Sequence, residues 1–469
     1  MTDTHNAAPQ PVDILVSGCD IVTLDDAGTI IRNGAIAVSN GRIVWMGKAD
    51  DAAALFTPET RLDGSDRIAM PGLIDGHMHT AQQLLRGKIF EMQRKRALKI
   101  PIWKNYYIPF EGMLTHEDVE LSGLVAYTNM ISVGTTCFAE AGGPHPDAMG
   151  QAALDVGIRG FIALSTVDQT SNVGASVPQS MMMNTQQAYD RNIELVKRWA
   201  DQDQDRVRAW LGLRQIIVCS PELINSMSAA ARELDVKIHT HLCEGAYEID
   251  YALEHFGKRP TEYLADLGVL DHHLHCAHSV LLSPDEVDLY VKHRPSACHC
   301  GFNNYSIGAP RLIEMWRKGI DIGMGTDGAA AWGSLDIFQV AHVTRIGQQA
   351  LGGTPWHMRT AISSEELLAI ATRGGARSLG LAEELGSLEV GKRADLLLVD
   401  SSQMDQQPIL DPLFAVSSTV VGRDVRSVVV DGKLVMKERE FLTVDIDLIK
   451  ARLAARGPEL MARFEALVA

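Results

Sequence analysis

The 469-residue chain contains no uninterrupted apolar run of about 18 residues, the length a membrane-spanning helix needs. Its opening, Met-Thr-Asp-Thr-His-Asn-Ala-Ala-Pro-Gln, has no basic start followed by an apolar stretch. It therefore does not read as a secretory leader, and the expected compartment is the cytoplasm. Cysteine is scarce, and its seven copies are scattered through apolar segments, which fits reduced, buried thiols better than a disulfide framework. Cations are outnumbered, 43 Lys and Arg against 59 Asp and Glu. The formal net charge of −16 argues against nucleic acid or an anionic membrane as the main partner. No glycine-rich phosphate loop and no Gly-x-Ser-x-Gly elbow occur, so neither phosphate cradling nor a serine nucleophile is signalled. Cys298-His299-Cys300 has the wrong spacing for a Cys-x-x-Cys zinc pair and reads as part of a buried strand.

Apolar residues make up 46% of the chain and charged residues 22%, ordinary for a globular protein. Residues 12–70 hold short strand-like runs separated by the turn signals Asn33-Gly34 and Asn40-Gly41. A similar texture returns near the end, at residues 394–399 and 425–436. The two ends are expected to pair into one small β-sandwich-like domain, assembled from residues 1–70 and 386–469, with a last helix near residues 446–468.

Between them, residues 71–385 alternate short apolar strands with helical patterns. Eight candidate strands end near residues 77–79, 135–140, 161–165, 209–213, 237–241, 273–278, 296–299 and 321–327. Ser283-Pro-Asp-Glu286 and Ser363-Ser-Glu-Glu366 carry helix-start chemistry, a capping hydroxyl with an acid three residues on. Eight strands separated by helices predict an α/β fold, a parallel (β/α)8 TIM-type barrel. The Met181-Met-Met183 run reads as packing rather than a metal site.

The chemistry gathers at strand ends. In His77-Met-His79, two imidazoles two residues apart face the same side of a strand and can aim at one point. His239-Thr-His241-Leu-Cys-Glu244 repeats the device with a carboxylate three residues on. His241, nearer the C-terminal end, is the better-placed ligand, and His239 reads as a core histidine. His275 and His278 end the next strand, and Gly325-Thr-Asp327-Gly328 ends the last, where barrel enzymes keep catalytic groups. Imidazoles plus a carboxylate suit one divalent metal per subunit, Zn²⁺ first, with Fe²⁺ or Mn²⁺ as alternatives. Such an ion lowers the pKa of water toward about 7. Asp327 can bind metal and accept the water proton, His278 can orient the water, and Glu244 can pass the proton on. His272 and His273 read as loop residues flanking a strand.

The chain resembles the amidohydrolase superfamily. The likeness is strongest to the branch holding cytosine deaminase, guanine deaminase, methylthioadenosine/S-adenosylhomocysteine deaminase and atrazine chlorohydrolase. The motifs that carry it are residues 71–80, Gly134-Thr-Thr136, Gly157-Ile-Arg159, His241-Leu-Cys-Glu244, Ala277-His278, residues 299–304, Gly325-Thr-Asp327-Gly328 and residues 385–396. The resemblance implies a single-metal site with ligands His77, His79, His241 and Asp327. It places proton transfer on Glu244, His278 and Asp327, and implies a homo-oligomer of two or more chains. No lysine stands where two-metal relatives carry their carboxylated bridge.

Two departures bear on the substrate. Where deaminases of this branch often have a Pro-His-Ala-Pro-like segment, Arg214 stands near the position of a substrate-facing histidine. Residues 88–104 hold Lys88, Arg94, Lys95, Arg96, Lys99 and Lys104 against Glu91 alone. The reading is a hydrolytic deaminase of a small N-heterocycle; two roles stand open for these cations, holding a substrate carboxylate with Arg214 as a fork, or forming a solvated helix face or dimer contact, as charge runs usually do. Trp103 and Asn304 complete the expected substrate contacts. Cyclic-amide hydrolysis, and dechlorination or desulfuration of a heterocycle by the same activated water, are the alternatives. A catalytically dead binding barrel is a further class, but no ligand or acid is missing.

Overall fold

The computed structural model describes residues 9–169, 177–200 and 205–469. Eight parallel strands lie side by side in chain order: β1 (Leu73–Met78), β2 (Thr135–Glu140), β3 (Arg159–Ala163), β4 (Val207–Gly212), β5 (Ile238–Leu242), β6 (Leu274–His278), β7 (Ser296–His299) and β8 (Ile322–Met324). Helices connect them, forming the outer layer of a (β/α)8 barrel. Every residue of β1, β2, β3, β5, β6, β7 and β8 is buried. A parallel sheet covered on both faces demands such unbroken apolar runs. The barrel closes where the chain beyond β8 meets β1. Asp327 N–H donates to the His77 carbonyl at 2.9 Å, and Thr326 N–H and Oγ1 donate to the Asp75 carboxylate at 3.0 and 2.6 Å. Gly325 makes that approach feasible, since a Cβ there would lie 2.6 Å from Cys298 Sγ and 3.0 Å from His77 N.

The helix starts follow their sequence signals. Ser283 Oγ accepts from Glu286 N–H at 3.2 Å while Glu286 Oε2 accepts from Ser283 N–H at 2.9 Å, and Ser363 with Glu366 repeats the box.

The chain ends build a second, mixed sheet of nine strands. Gln10–Val22 pairs with Ile30–Ser39, Phe56–Asp63 and Arg67–Pro71, and Leu396–Asp400 runs antiparallel to Arg67–Pro71. The segments before and after the barrel thus share one hydrogen-bonded sheet, closed over Ile14, Val16, Ile21, Ile36, Leu396 and Val429. Arg159 of β3 pins it to the barrel, its buried guanidinium donating to Asp395 at 3.1 and 3.2 Å and to Asp431 at 3.1 Å. A final helix spans Ile446–Leu467. Among the described residues no helix is long and apolar enough to cross a membrane.

Candidate metal centre

The C-terminal ends of β1, β5, β6 and β8 converge on one point. His77 Nε2 lies 3.0 Å from Asp327 Oδ1, His79 Nε2 lies 3.6 Å from the same oxygen, and His79 Nε2 lies 3.3 Å from His241 Nε2. Two ligands of one tetrahedral zinc, each about 2.1 Å from the ion, are about 3.4 Å apart. The observed separations bracket that value. All four residues are buried.

The hydrogen bonds fix which nitrogens are bare. His241 Nδ1 lies 2.9 Å from the Arg214 carbonyl, which can only accept, so Nδ1 carries the proton and the Nε2 lone pair faces the centre. His278 Nδ1 lies 3.1 Å from Asn304 Oδ1, whose amide Nδ2 donates to the His278 carbonyl at 2.9 Å. His278 Nε2 is buried and has no hydrogen-bond partner among the described residues; it lies 3.9 Å from Asp327 Oδ1 and 4.0 Å from Glu244 Oε1, and against burial, Cys300, Glu244 and Asp327 hold the pKa of this ring well above its usual value. His77 Nδ1 is 3.0 Å from His239 Nε2, so His239 is the neighbour that orients His77 from behind.

Burial holds the pKa of His77, His79 and His241 well below 6.5, with neighbouring rings adding to the effect, so these imidazoles are neutral donors. Burial pushes Asp327 up to about 6, against the opposing influence of His278 and Asn303. Cys300 also lies near His77 and His278, but burial first, then Cys298, pushes its thiol well above the usual range. It stays protonated and is a poor ligand. Asp327 and His278 both hold left-handed backbone, φ 61° and 68°, a strain that the surrounding packing must enforce.

The centre opens into a cavity of about 560 Å³ lined by His79, His241, Asp327, Glu244, Arg214 and Trp103, among others. Glu244 Oε2 accepts from Gln215 Nε2 at 2.6 Å and from Tyr247 Oη at 2.7 Å, which leaves Oε1 facing His278. Asn303 Nδ2 donates to Asp327 Oδ2 at 2.5 Å. Trp103 forms one wall, its ring 5.9 Å from that of Tyr247, and its buried indole N–H has no partner among the described residues.

Two sequence expectations need correction, Asn304 and Arg214 as substrate contacts, and of the two roles open to the basic segment the substrate-holding one drops out. Asn304 does not line the cavity; it is fully buried against His278 and His299 and sets the His278 ring. Its neighbour Asn303 reaches the cavity instead. Arg214 does line the cavity, but its guanidinium is already bound to Glu111 at 2.7 and 3.4 Å and to Ser165 Oγ at 3.0 Å. Glu111, in turn, takes a bond from Gln82 Nε2 at 2.6 Å. The six cations of residues 88–104 do not line the cavity either. Lys88 pairs with Glu91 and Glu465, Lys95 with Glu91, and Arg96 donates to the Val468 carbonyl, so this charge ties the segment to itself and to the last helix. Among the described residues, the cavity wall therefore holds no uncommitted cation to anchor a substrate carboxylate.

Sequence reasoning passed over Gln215, Tyr247, Asn303 and Glu111. Only Asn303 stood inside a quoted motif, beside the residue chosen in its place.

Comparison with known proteins agrees with this architecture. The model of the Amidohydrolase family matches residues 68–435. A 5-methylthioadenosine/S-adenosylhomocysteine deaminase from Moorella thermoacetica is 31% identical over 447 residues, 94% of this chain and 98% of the relative. The crystal structure of an adenosine deaminase from Xanthomonas campestris with bound zinc superposes with a TM-score of 0.87 at 27% identity, covering 98% of this chain and all (100%) of the other. A zinc-complexed atrazine chlorohydrolase from Arthrobacter aurescens, at 22% identity, shares the fold with a TM-score of 0.81 over 97% of this chain and 100% of its own. The chain belongs to the amidohydrolase family.

Proposed function

We propose that this protein is a single-metal hydrolytic deaminase acting on a neutral, aminated N-heterocycle that carries an apolar substituent. His77, His79, His241 and Asp327 would hold one divalent ion, zinc before iron or manganese. The observation that carries the reading is the convergence of these four donors, spaced 3.0 to 3.6 Å, beside a cavity lined by Glu244, with His278 Nε2 3.9 Å from Asp327 and 4.0 Å from Glu244. When bound, the ion supplies Lewis acidity that brings the pKa of water toward about 7.

The chain's own groups do the rest. Asp327 accepts the proton that leaves the attacking water. His278, held by Asn304, offers Nε2 to orient that water and to stabilise charge developing on the attacked carbon's oxygen. Glu244, fixed through Oε2, uses its free Oε1 to protonate a ring nitrogen, which makes the ring carbon electrophilic. When the exocyclic C–N bond breaks, the amine takes the proton held by Asp327 and leaves as ammonia, while the added hydroxyl gives its remaining proton back to Glu244 as the carbonyl forms.

The apolar walls of the cavity, including Ile102, Trp103, Tyr107, Tyr247 and Phe302, favour a flat ring and an apolar substituent. The unpaired Trp103 N–H is a donor for a ring or substituent acceptor. Arg214 is the cavity's only Lys or Arg among the described residues, and Glu111 neutralises it, which favours a neutral substrate. The name of the Moorella relative supports deamination of an adenine nucleoside with a thioether substituent. The test is ammonia release from paired aminated heterocycles, each with a neutral apolar or a carboxylated substituent. Turnover of the neutral members is the expected result. Turnover of the carboxylated members alone would overturn the substrate class, and silence on all would overturn deamination.

A further inference from the structure

At the opposite end of the barrel, the N-terminal ends of β5 and β6 bring together three residues that the chemistry above does not use. Asp235 sits at the end of the helix Pro221–Leu234, and His272 and His273 precede β6. One ligand atom from each lies within 4.8 Å of the others. His273 Nε2 is 3.6 Å from Asp235 Oδ1, close to the separation of about 3.4 Å that two ligands of a tetrahedral zinc adopt.

The surroundings prepare this trio for a cation. Asp271 Oδ1 accepts from the His273 backbone N–H at 2.9 Å and from its Nδ1 at 3.1 Å. An ionised carboxylate can only accept, so Nδ1 carries a proton and Nε2 is the nitrogen turned toward Asp235. This carboxylate-to-histidine arrangement is what orients and strengthens metal-ligating imidazoles. Of the cations around it, Arg232 donates to Asp271 at 2.8 Å and Lys237 to the His272 carbonyl at 2.8 Å, and Arg208, Arg294 and Arg377 line the same cavity as the trio. The His272 and His273 ring centroids lie 4.0 Å apart, which keeps a His272 nitrogen beside the other two donors. Asp235 and His272 are exposed, so an ion can enter from solvent and keep water in its fourth position.

We infer that Asp235, His272 and His273 form a second zinc site, on the barrel face opposite the catalytic cavity. It would bind Zn²⁺ from solution, more weakly than a closed four-ligand centre, and would link the chain segments entering β5 and β6.

The test is equilibrium dialysis of the full chain against rising free Zn²⁺, with zinc counted per chain. His272→Ala removes an exposed ring. Asp235→Asn keeps the left-handed backbone (φ 50°), which asparagine tolerates, while removing the charge. The expected result is two equivalents for the unmodified chain and one for each variant, with the lost equivalent being the weaker. Co²⁺ loading should show the same loss of one visible-absorbing ion. A zinc count that neither variant lowers, whether it stands at one equivalent or at two, would overturn the inference.

Discussion

Gln215 Nε2 donates to Glu244 Oε2 at 2.6 Å, so the proposed proton carrier is held by a residue from the loop after β4 rather than by its own strand. Tyr247 Oη shares the same oxygen at 2.7 Å. Hydrogen bonds to a charged group are worth about 1.5–3 kcal/mol. Gln215→Leu and Tyr247→Phe should therefore each lower kcat by ~10-fold or more. Because both bonds end on one oxygen, the double variant should lose less than the product of the two single losses. Steady-state kinetics on the neutral substrate decide this; full activity in both single variants would show that Glu244 needs no tether.

Arg214 and Glu111 form a buried ion pair, with side chains 4% and 0% exposed. Breaking such a pair from one side costs about 3–5 kcal/mol of stability, whereas replacing both partners with apolar groups is often near neutral. Glu111→Gln and Arg214→Met should each lower Tm strongly, and the Glu111→Leu, Arg214→Met double variant should regain much of the loss. Thermal unfolding measures this directly. A loss of substrate affinity in Arg214→Met with unchanged Tm would instead return Arg214 to a substrate-holding role.

Glu248 carries a pH-dependent cost. Burial, with the charge of Glu244 adding to it, raises its pKa to about 8 against the stabilising bond from the Glu244 N–H. A carboxyl raised in the folded state contributes stability that is fully present below its unfolded value near 4.5 and is lost as pH rises through about 8. Tm of the unmodified chain should therefore fall relative to that of Glu248→Gln across this window. Parallel Tm curves for the two proteins would contradict the assignment.

Much of the fold is legible in the sequence because buried parallel strands leave a local signature: short apolar runs that end in polar residues. That signature locates His77, His241, His278 and Asp327 at strand ends, and the two-residue spacing of His77 and His79 puts both on one face. Glu111 and Gln215 leave no such trace, since their partners are chosen by how helices and loops seat against the barrel; Arg214 and Glu111 lie 103 residues apart. The basic segment misleads for the same reason. Its charge is dense locally, but Lys88 meets Glu465, 377 residues along the chain, only once the last helix has docked. Asn303 and Asn304 differ by a single position on the helix Gly301–Ile307, which decides which of them faces the cavity and which turns to His278.

The most direct test of the central claim is a zinc titration of chelator-stripped protein, with ammonia release measured at each step on a neutral aminated heterocycle. The account predicts no release without metal and a linear rise that ends at one equivalent of tightly held zinc, while further zinc taken up at the opposite barrel face leaves the rate unchanged. Ammonia release from metal-free protein, or a rate that keeps climbing to two equivalents, would contradict it.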